Sequence, residues 1–558
     1  MNVILTMKKF VIYLTLVLSA VSCVEGGRND GDAVKPTKNV ILRVPDGTST
    51  SVLSLSKWYK RYMGDADFEL SLTDHICGLM SSTMSDGIIP CSAPAMSGIV
   101  TGMPQRAGNL SIYPLHHPGQ DLIPVDSAKA YQPLATVMEA ARLEKGAAVG
   151  VVVTVEFHHA TPAACMAHTP RRGDVKAIAR QMASNGFDVV FGGGAEAIDG
   201  TVREILEDND VNLIENDIES FRKYSDDKPV WAVFADGFMD YDIDRDTSVT
   251  PSLAEMTAKA IEILSKDEDG FFLMVEGSKV DFAAHANDPN ALITEFLAFD
   301  EAVGVAMDFA EKDGNTTVVV VPDHGTSALT ACNPGFKGYT RKGIDSLFVD
   351  MKGYKATYLK IGKILSQCKK NELRPLFKEW TGLELTDAEL ERLMSAAGKS
   401  ESDYMQVADS ENFESVISSI LTSHTHLVFA NSGHTPENVF LAAYHPKGHI
   451  PKGILTNTEL NAYLCKAAGL KSSLSDVTEE YFIRHDVLLK DFEYKVIKEN
   501  DTPLLMVKTA AGEVTIPAWR NIFPIEDEKV ELPVAPVYIK ENDSFYLPRQ
   551  IVDVLKNQ

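Results

Sequence analysis

Residues 275–285 read V-E-G-S-K-V-D-F-A-A-H, which puts Glu276, Asp281 and His285 within ten positions of one another. Asp281 and His285 are four apart, so on a helix they share a face. A carboxylate and an imidazole on one face, beside a second carboxylate, form a donor set for a divalent cation. The same window also fits an ordinary helix start, whose acidic residues favour the positive end of the dipole. Further donors close other apolar runs. Asp46 ends V-I-L-R-V-P-D, Asp323 and His324 end V-V-V-V-P-D-H, and His434 follows L-V-F-A-N-S-G. Each alone reads equally well as a turn aspartate or a helix cap. Their joint placement at strand ends points to metal binding. Ser92 opens S-A-P-A-M-S-G-I-V-T-G, a run of small and apolar residues that predicts a buried helix with Pro94 in its first turn. A serine there is either a plain cap or part of a phosphate cradle built from unpaired backbone amides. The stretch from Thr161 to Arg172 reads as one helix, carrying Arg172 about three turns beyond Thr161. A guanidinium suits bidentate phosphate contact.

The elements that must position these groups are apolar runs alternating with helical patterns. Strands are predicted at 40–44, 148–155, 187–191, 230–234, 271–275 and 318–321, and helices at 251–265 and 290–311. The alternation predicts an α/β fold with a largely parallel sheet covered on both faces. Sites in such sheets form beyond the C-terminal ends of the strands. The rhythm breaks over 333–424, a mainly helical insertion in which Thr386 and Glu389 are spaced as a capping box. The sheet pattern is expected to resume at 427–430, and a helix over 457–470 closes the core. Short strands at 494–497, 504–507 and 537–539 suggest a small β-rich C-terminal domain, whose ending faintly resembles repeats of the copper amine oxidase N-terminal type. The boundaries expected are 1–22 signal peptide, 23–37 tether, 38–332 and 425–472 core, 333–424 insertion, and 473–558 C-terminal domain.

The chain has 558 residues and a formal net charge of −25, which argues against a nucleic-acid partner. Lys8 and Lys9 precede a short apolar run and then S-A-V-S-C, the pattern of a secretory signal. The run is too short for a comfortable membrane span. Small residues before Cys23 favour a lipid anchor there, although Ala20 stands where leucine is more usual. A plain secretory peptide is the alternative, and Met7 is a second candidate start. The expected location is outside the cytoplasm, in the periplasm or at the outer membrane as a lipoprotein. The seven cysteines contain no C-x-x-C pair, so most are expected to be isolated buried thiols.

Together these motifs resemble the alkaline phosphatase family over about 38–470. The resemblance rests on V-I-L-R-V-P-D-G, C-S-A-P-A-M-S-G-I-V-T-G, H-A-T-P-A-A with Arg172, E-G-x-x-x-D-x-x-x-H, D-H and G-H-T, in that order. It implies an alkaline-phosphatase-like sandwich with a central, mostly parallel sheet between helices. It also implies roles. Asp281, His285 and His434 would hold one zinc ion, and Asp46, Asp323 and His324 a second. Asp46, Thr161 and Glu276 would hold a third ion, usually magnesium. Ser92 would be the nucleophile, passing through a phosphoserine intermediate, and Arg172 would bind the phosphate of small phosphate monoesters. A homodimer is a further candidate. Three positions depart from the family pattern. Cys91 replaces the aspartate that normally steadies the arginine, so Arg172 is expected to be more mobile. His159 replaces an acid found in some members, and an outer role at the third metal is expected for it. Phe282 stands where a polar residue often contacts phosphate, which is expected to reshape the mouth of the site. The competing readings are a phosphodiesterase or sulfatase of the same superfamily and a non-catalytic, ligand-binding surface lipoprotein.

Overall fold

The computed structural model describes residues 34–332, 336–399, 405, 408, 410–500, 502–525 and 528–558. The expected signal peptide, Cys23 and most of the expected tether lie outside the described residues. Fourteen strands build the core: β1 (Asn39–Pro45), β2 (Ile76–Ser81), β3 (Ala148–Glu156), β4 (Val189–Gly193), β5 (Asn212–Glu215), β6 (Val230–Val233), β7 (Phe271–Gly277), β8 (Thr316–Val320), β9 (Gly325–Thr326), β10 (Thr330–Ala331), β11 (Leu427–Val428), β12 (His434–Thr435), β13 (Val439–Tyr444) and β14 (Gly453–Thr456). Ten of them form one sheet in the order β14-β2-β13-β8-β1-β7-β3-β4-β6-β5. Only β13 runs against its neighbours in that sheet; every other pairing in it is parallel.

The central strands carry apolar side chains on both faces because helices cover both. All seven residues of β1, β7 and all five of β8 are buried. One helical group consists of Ser51–Tyr62 and Leu253–Leu264, both packed on the 25-residue Pro289–Asp313. A second consists of Ser92–Thr101, Val137–Lys145 and Asn457–Ala468. Pro289–Asp313 starts where its sequence dictates. Asp288 accepts from the amides of Asn290 and Ala291, and Pro289 occupies the first turn, where its missing N–H costs nothing.

Three expectations are corrected. The sheet does not resume at 427–430. Leu427–Val428 instead pairs antiparallel with Thr330–Ala331 outside the main sheet, and β13 is the strand that returns. The run 427–430 is short, and Ala430 N–H is already drawn to the Ser327 carbonyl. The expected helix over 161–172 is a single turn, Ala160–Ala163. Thr169 bridges to Leu110, and Pro170 cannot continue a helix. Cysteine burial also differs. Among the described residues six cysteines are free, and only Cys165 is fully buried.

The stretch 333–424 holds five α-helices among its described residues, with the Thr386–Glu389 capping box formed. Its last helix, Phe413–His424, packs against the end of the segment that supplies Asp281 and His285. Ser418 Oγ donates to the Ala286 carbonyl at 2.8 Å, and Thr422 Oγ1 to that of Asn287 at 3.0 Å. The C-terminal portion is three small antiparallel sheets around its own apolar cluster. Ser184 Oγ donates to the Trp519 carbonyl at 2.9 Å, and Asn209 pairs with Asn521, tying it to the core.

Candidate active site

The site grows from four adjacent strands, β8, β1, β7 and β3. Register sets Val44 beside Glu276 and Pro45 beside Gly277, so Asp46 emerges next to the β7 carboxylate. Asp323 and His324 leave the neighbouring β8. The helix Lys279–His285 follows β7 directly and presents Asp281 and His285 on one face, as their spacing requires. His434 arrives from far along the chain because β12 pairs with β9, matching His434 to Thr326. Ser92 is the first residue of Ser92–Thr101, all ten residues of which are buried.

The donor atoms of Asp281, His285 and His434 all lie within 4.8 Å of one another, and so do those of Asp46, Asp323 and His324. His285 Nε2 is 3.3 Å from Asp281 Oδ2 and 3.1 Å from His434 Nε2. His324 Nε2 is 3.5 Å from Asp46 Oδ1 and 3.4 Å from Asp323 Oδ2. The His324 and His434 rings are 4.0 Å apart between centroids, so the two groups abut. Gly47 makes this approach feasible. Its φ is +59°, its amide donates to Asp323 Oδ1 at 3.1 Å, and a Cβ there would sit 2.1 Å from Asp281 Oδ1.

These groups fit cations better than they fit one another. Asp46 Oδ1, Asp323 Oδ2, Glu276 Oε1 and Thr161 Oγ1 are buried without a hydrogen bond of good geometry. A buried polar atom left so is costly unless something else binds it. His285 Nδ1 faces the Ser432 carbonyl at 2.5 Å and must donate to it, which leaves Nε2 with its lone pair toward the cluster. Burial pushes Asp323 up to about 6 and Glu276 up to about 7. Burial, with the nearby charges of Asp323 and Asp281, raises Asp46 well above the carboxylate range. Asp281 goes the other way. Burial opposes its ionisation, but His285, His434 and His324 hold it well below the usual range. Burial lowers His324 to about 4 and His434 to about 3, keeping both imidazoles neutral, as metal ligands must be. Thr161 and Asp46 both lie close enough to Glu276 to bear on its ionisation, which gathers the three expected ligands of a third ion.

Ser92 Oγ lies 3.4 Å from Asp46 Oδ2 and 3.4 Å from His324 Nε2, so the hydroxyl borders the second ligand group directly. Cys91 is half-buried and caps the same helix through its backbone only. Arg172 is fixed by its amide, which donates to the Gly108 carbonyl at 2.8 Å, and by Nη2, 3.0 Å from His159 Nε2. His159 thus gives the arginine a partner that the sequence did not suggest. Burial, then the Arg172 charge, lower His159 to about 3, so it meets the guanidinium as a neutral acceptor. Phe282 is 3 % exposed, so it is a packed wall and not an open lip. It stands edge-on to His159 at 5.8 Å and to Phe238 at 5.5 Å. Phe238, itself 44 % exposed, supplies the apolar surface that sequence reasoning missed. No motif marks it; only its place in the fold does.

A protein-family model described as alkaline phosphatase matches residues 37–470. Alkaline phosphatase 3 of Bacillus subtilis is 31 % identical over 458 residues, covering 79 % of this chain and 90 % of its own. The alkaline phosphatase of Escherichia coli is 31 % identical over 371 residues, covering 55 % of this chain and 74 % of its own. Among solved structures, the Thermus thermophilus alkaline phosphatase superposes with a TM-score of 0.66 at 23 % identity, covering 82 % of this chain and 99 % of that one. The cold-active enzyme of a psychrophilic Shewanella sp. gives 0.66 at 24 %, covering 77 % and 99 %. At those identities the structures show a shared fold. With two clustered sets of metal-binding side chains at the ends of four core strands, and a family match over most of its length, the chain belongs to the alkaline phosphatase family.

Proposed function

We propose that this metal-dependent phosphatase cleaves small phosphate monoesters through a phosphoserine at Ser92. The observation that carries the reading is the Ser92 hydroxyl, held 3.4 Å from both Asp46 and His324 at the start of a buried helix. Asp281, His285 and His434 would hold one zinc ion, Asp46, Asp323 and His324 a second, and Asp46, Thr161 and Glu276 a magnesium ion. Bound there, such ions supply Lewis-acid stabilisation and make a neighbouring hydroxyl more acidic. Magnesium in a third site has precedent in fold relatives, since a TAB5 alkaline phosphatase mutant has been solved with Mg bound in the M3 site.

Ser92 Oγ attacks phosphorus in line with the ester oxygen. The new P–O bond forms as the bond to the alcohol breaks, and the alcohol leaves carrying a proton. Arg172 contacts the equatorial oxygens, while the first amides of Ser92–Thr101 face the same charge. Water then cleaves the seryl phosphate and restores the hydroxyl. His159 keeps Arg172 oriented throughout, and the Phe282–Phe238 wall excludes water from one side.

Export fits this reading. The basic and apolar segment from Lys8 to Cys23 supports a secreted enzyme anchored by a lipid at Cys23. Among the described residues no helix is long and apolar enough to cross a membrane. The test compares p-nitrophenyl phosphate turnover by the wild type and Ser92→Ala at matched metal content. Loss of at least a thousandfold is expected, and undiminished turnover would refute the serine pathway.

A further inference from the structure

A cleft of about 610 Å³ separates the core from the C-terminal portion, outside the site just described. That volume suits a whole small molecule rather than a single ion. Its charge is opposite to that of the protein. The chain carries a net −25, yet Lys176, Arg180, Lys498 and Lys540 line this cleft with Arg171, against only Asp174 and Glu541. Arg171 and Glu541 neutralise each other at 2.7 Å. Lys176, Lys498 and Lys540 are exposed, and none of the three forms an ion pair among the described residues. Arg180 is only weakly balanced, with Nη2 4.0 Å from Asp199 Oδ2.

Unused donors collect at the same place. The helix Val175–Ser184 begins on this cleft, and its N-cap residue Asp174 makes no side-chain cap. Its first amides therefore remain available to an anion. Arg180, on the same helix, donates from Nη1 to Thr502 Oγ1 at 3.4 Å. Trp519, 8 % exposed, lines the cleft with part of its ring. Tyr538 adds an aromatic wall beneath Lys498, whose Nζ is 6.0 Å from the ring centroid. Outside the Arg171–Glu541 pair, the lining thus sets three exposed lysines and Arg180 against the single carboxylate of Asp174.

We infer that this cleft is a second binding site, for a small organic molecule bearing several phosphate or sulfate groups. Arg171 and Arg172, adjacent in the chain, separate the two sites. Arg171 reaches Glu541 in the cleft, and Arg172 reaches His159, which lies close enough to Asp281 to feel its charge. The assignment does not depend on the chemistry at Ser92, and its test is read without turnover.

The test is calorimetric titration of the metal-loaded full chain with inositol hexasulfate, which offers no phosphate ester to cleave. One saturable equivalent is expected, and it should weaken as salt rises. Charge reversal at the exposed positions, Lys176→Glu with Lys540→Glu, should weaken binding at least tenfold while leaving p-nitrophenyl phosphate turnover intact. Ser92→Ala should bind as the wild type does, whatever it does to turnover. The inference is overturned by absence of saturable binding, by unchanged affinity in the double lysine variant, or by binding lost in Arg172→Ala alone.

Discussion

Gly47→Ala puts the geometry of the whole site at risk through one methyl group. The backbone there has φ +59°, which an L-residue adopts at a cost of roughly 1–2 kcal/mol. The added Cβ would lie 2.1 Å from Asp281 Oδ1 and 2.6 Å from Thr326 Oγ1. Real carbon atoms do not approach so closely, so Asp281 must withdraw by about an ångström. Its bond from Thr326 Oγ1, now 2.7 Å, would break, and the Gly47 amide bond to Asp323 would shift with it. One substitution thus moves a ligand in each metal group. A misplacement of about 1 Å typically costs about a hundredfold in rate, near 2.7 kcal/mol. Metal content measured with kcat/KM on the same purified sample checks this. The expectation is loss of at least one metal equivalent and at least a hundredfold in kcat/KM, with the fold retained by circular dichroism. A Gly47→Ala protein with full metal content and unchanged kcat/KM would refute the claim that the two ligand groups meet across this glycine.

Other consequences can be checked in parallel. Arg172→Ala should lower kcat/KM by about 10²–10³ and weaken phosphate inhibition, because a charged donor to the transferred group is removed. His159→Ala should reproduce part of that loss, several-fold in kcat/KM, and His159→Gln should restore part of it if the residue acts by accepting from Arg172 Nη2. Equal defects in both His159 variants would contradict that role. Cys91→Asp restores the residue of the family pattern and should tighten phosphate inhibition; an unchanged inhibition constant would count against a weakened arginine. His168→Ala should lower stability by about 2 kcal/mol in denaturant unfolding, because it leaves the buried Glu139 Oε1, 2.9 Å from His168 Nε2, without that partner, while Thr136 still donates to Oε2. A midpoint within error of the wild type would refute that.

Much of the core was legible because its signals are local. The runs of β1, β7 and β8 are apolar throughout, and a strand buried on both faces must be. The ligands sit directly after those runs, so chain order alone placed Asp46, Glu276, Asp323 and His324 at one edge. Asp281 and His285 followed from helical spacing. What sequence could not reveal depends on distant contacts. β13 reads V-F-L-A-A-Y, whose alanines suit a helix equally well, and only the slot between β2 and β8 makes it a strand. Arg172 was assigned to a helix because T-P-A-A-C-M-A-H is rich in helix formers, yet the bridge from Thr169 to Leu110 turns the chain first. The partnership of His159 with Arg172 spans that turn and leaves no pattern in the chain. Phe238 likewise becomes part of the site only through its contact with Phe282.

The central claim is that Ser92 carries the phosphoryl group. Acid quenching of the metal-loaded enzyme during turnover, followed by peptide mass spectrometry, measures it directly. A phosphoryl group is expected on the peptide containing Ser92 in the wild type and none in Ser92→Ala. Turnover by the wild type with that peptide unmodified, or with the phosphoryl group on another residue, would contradict it.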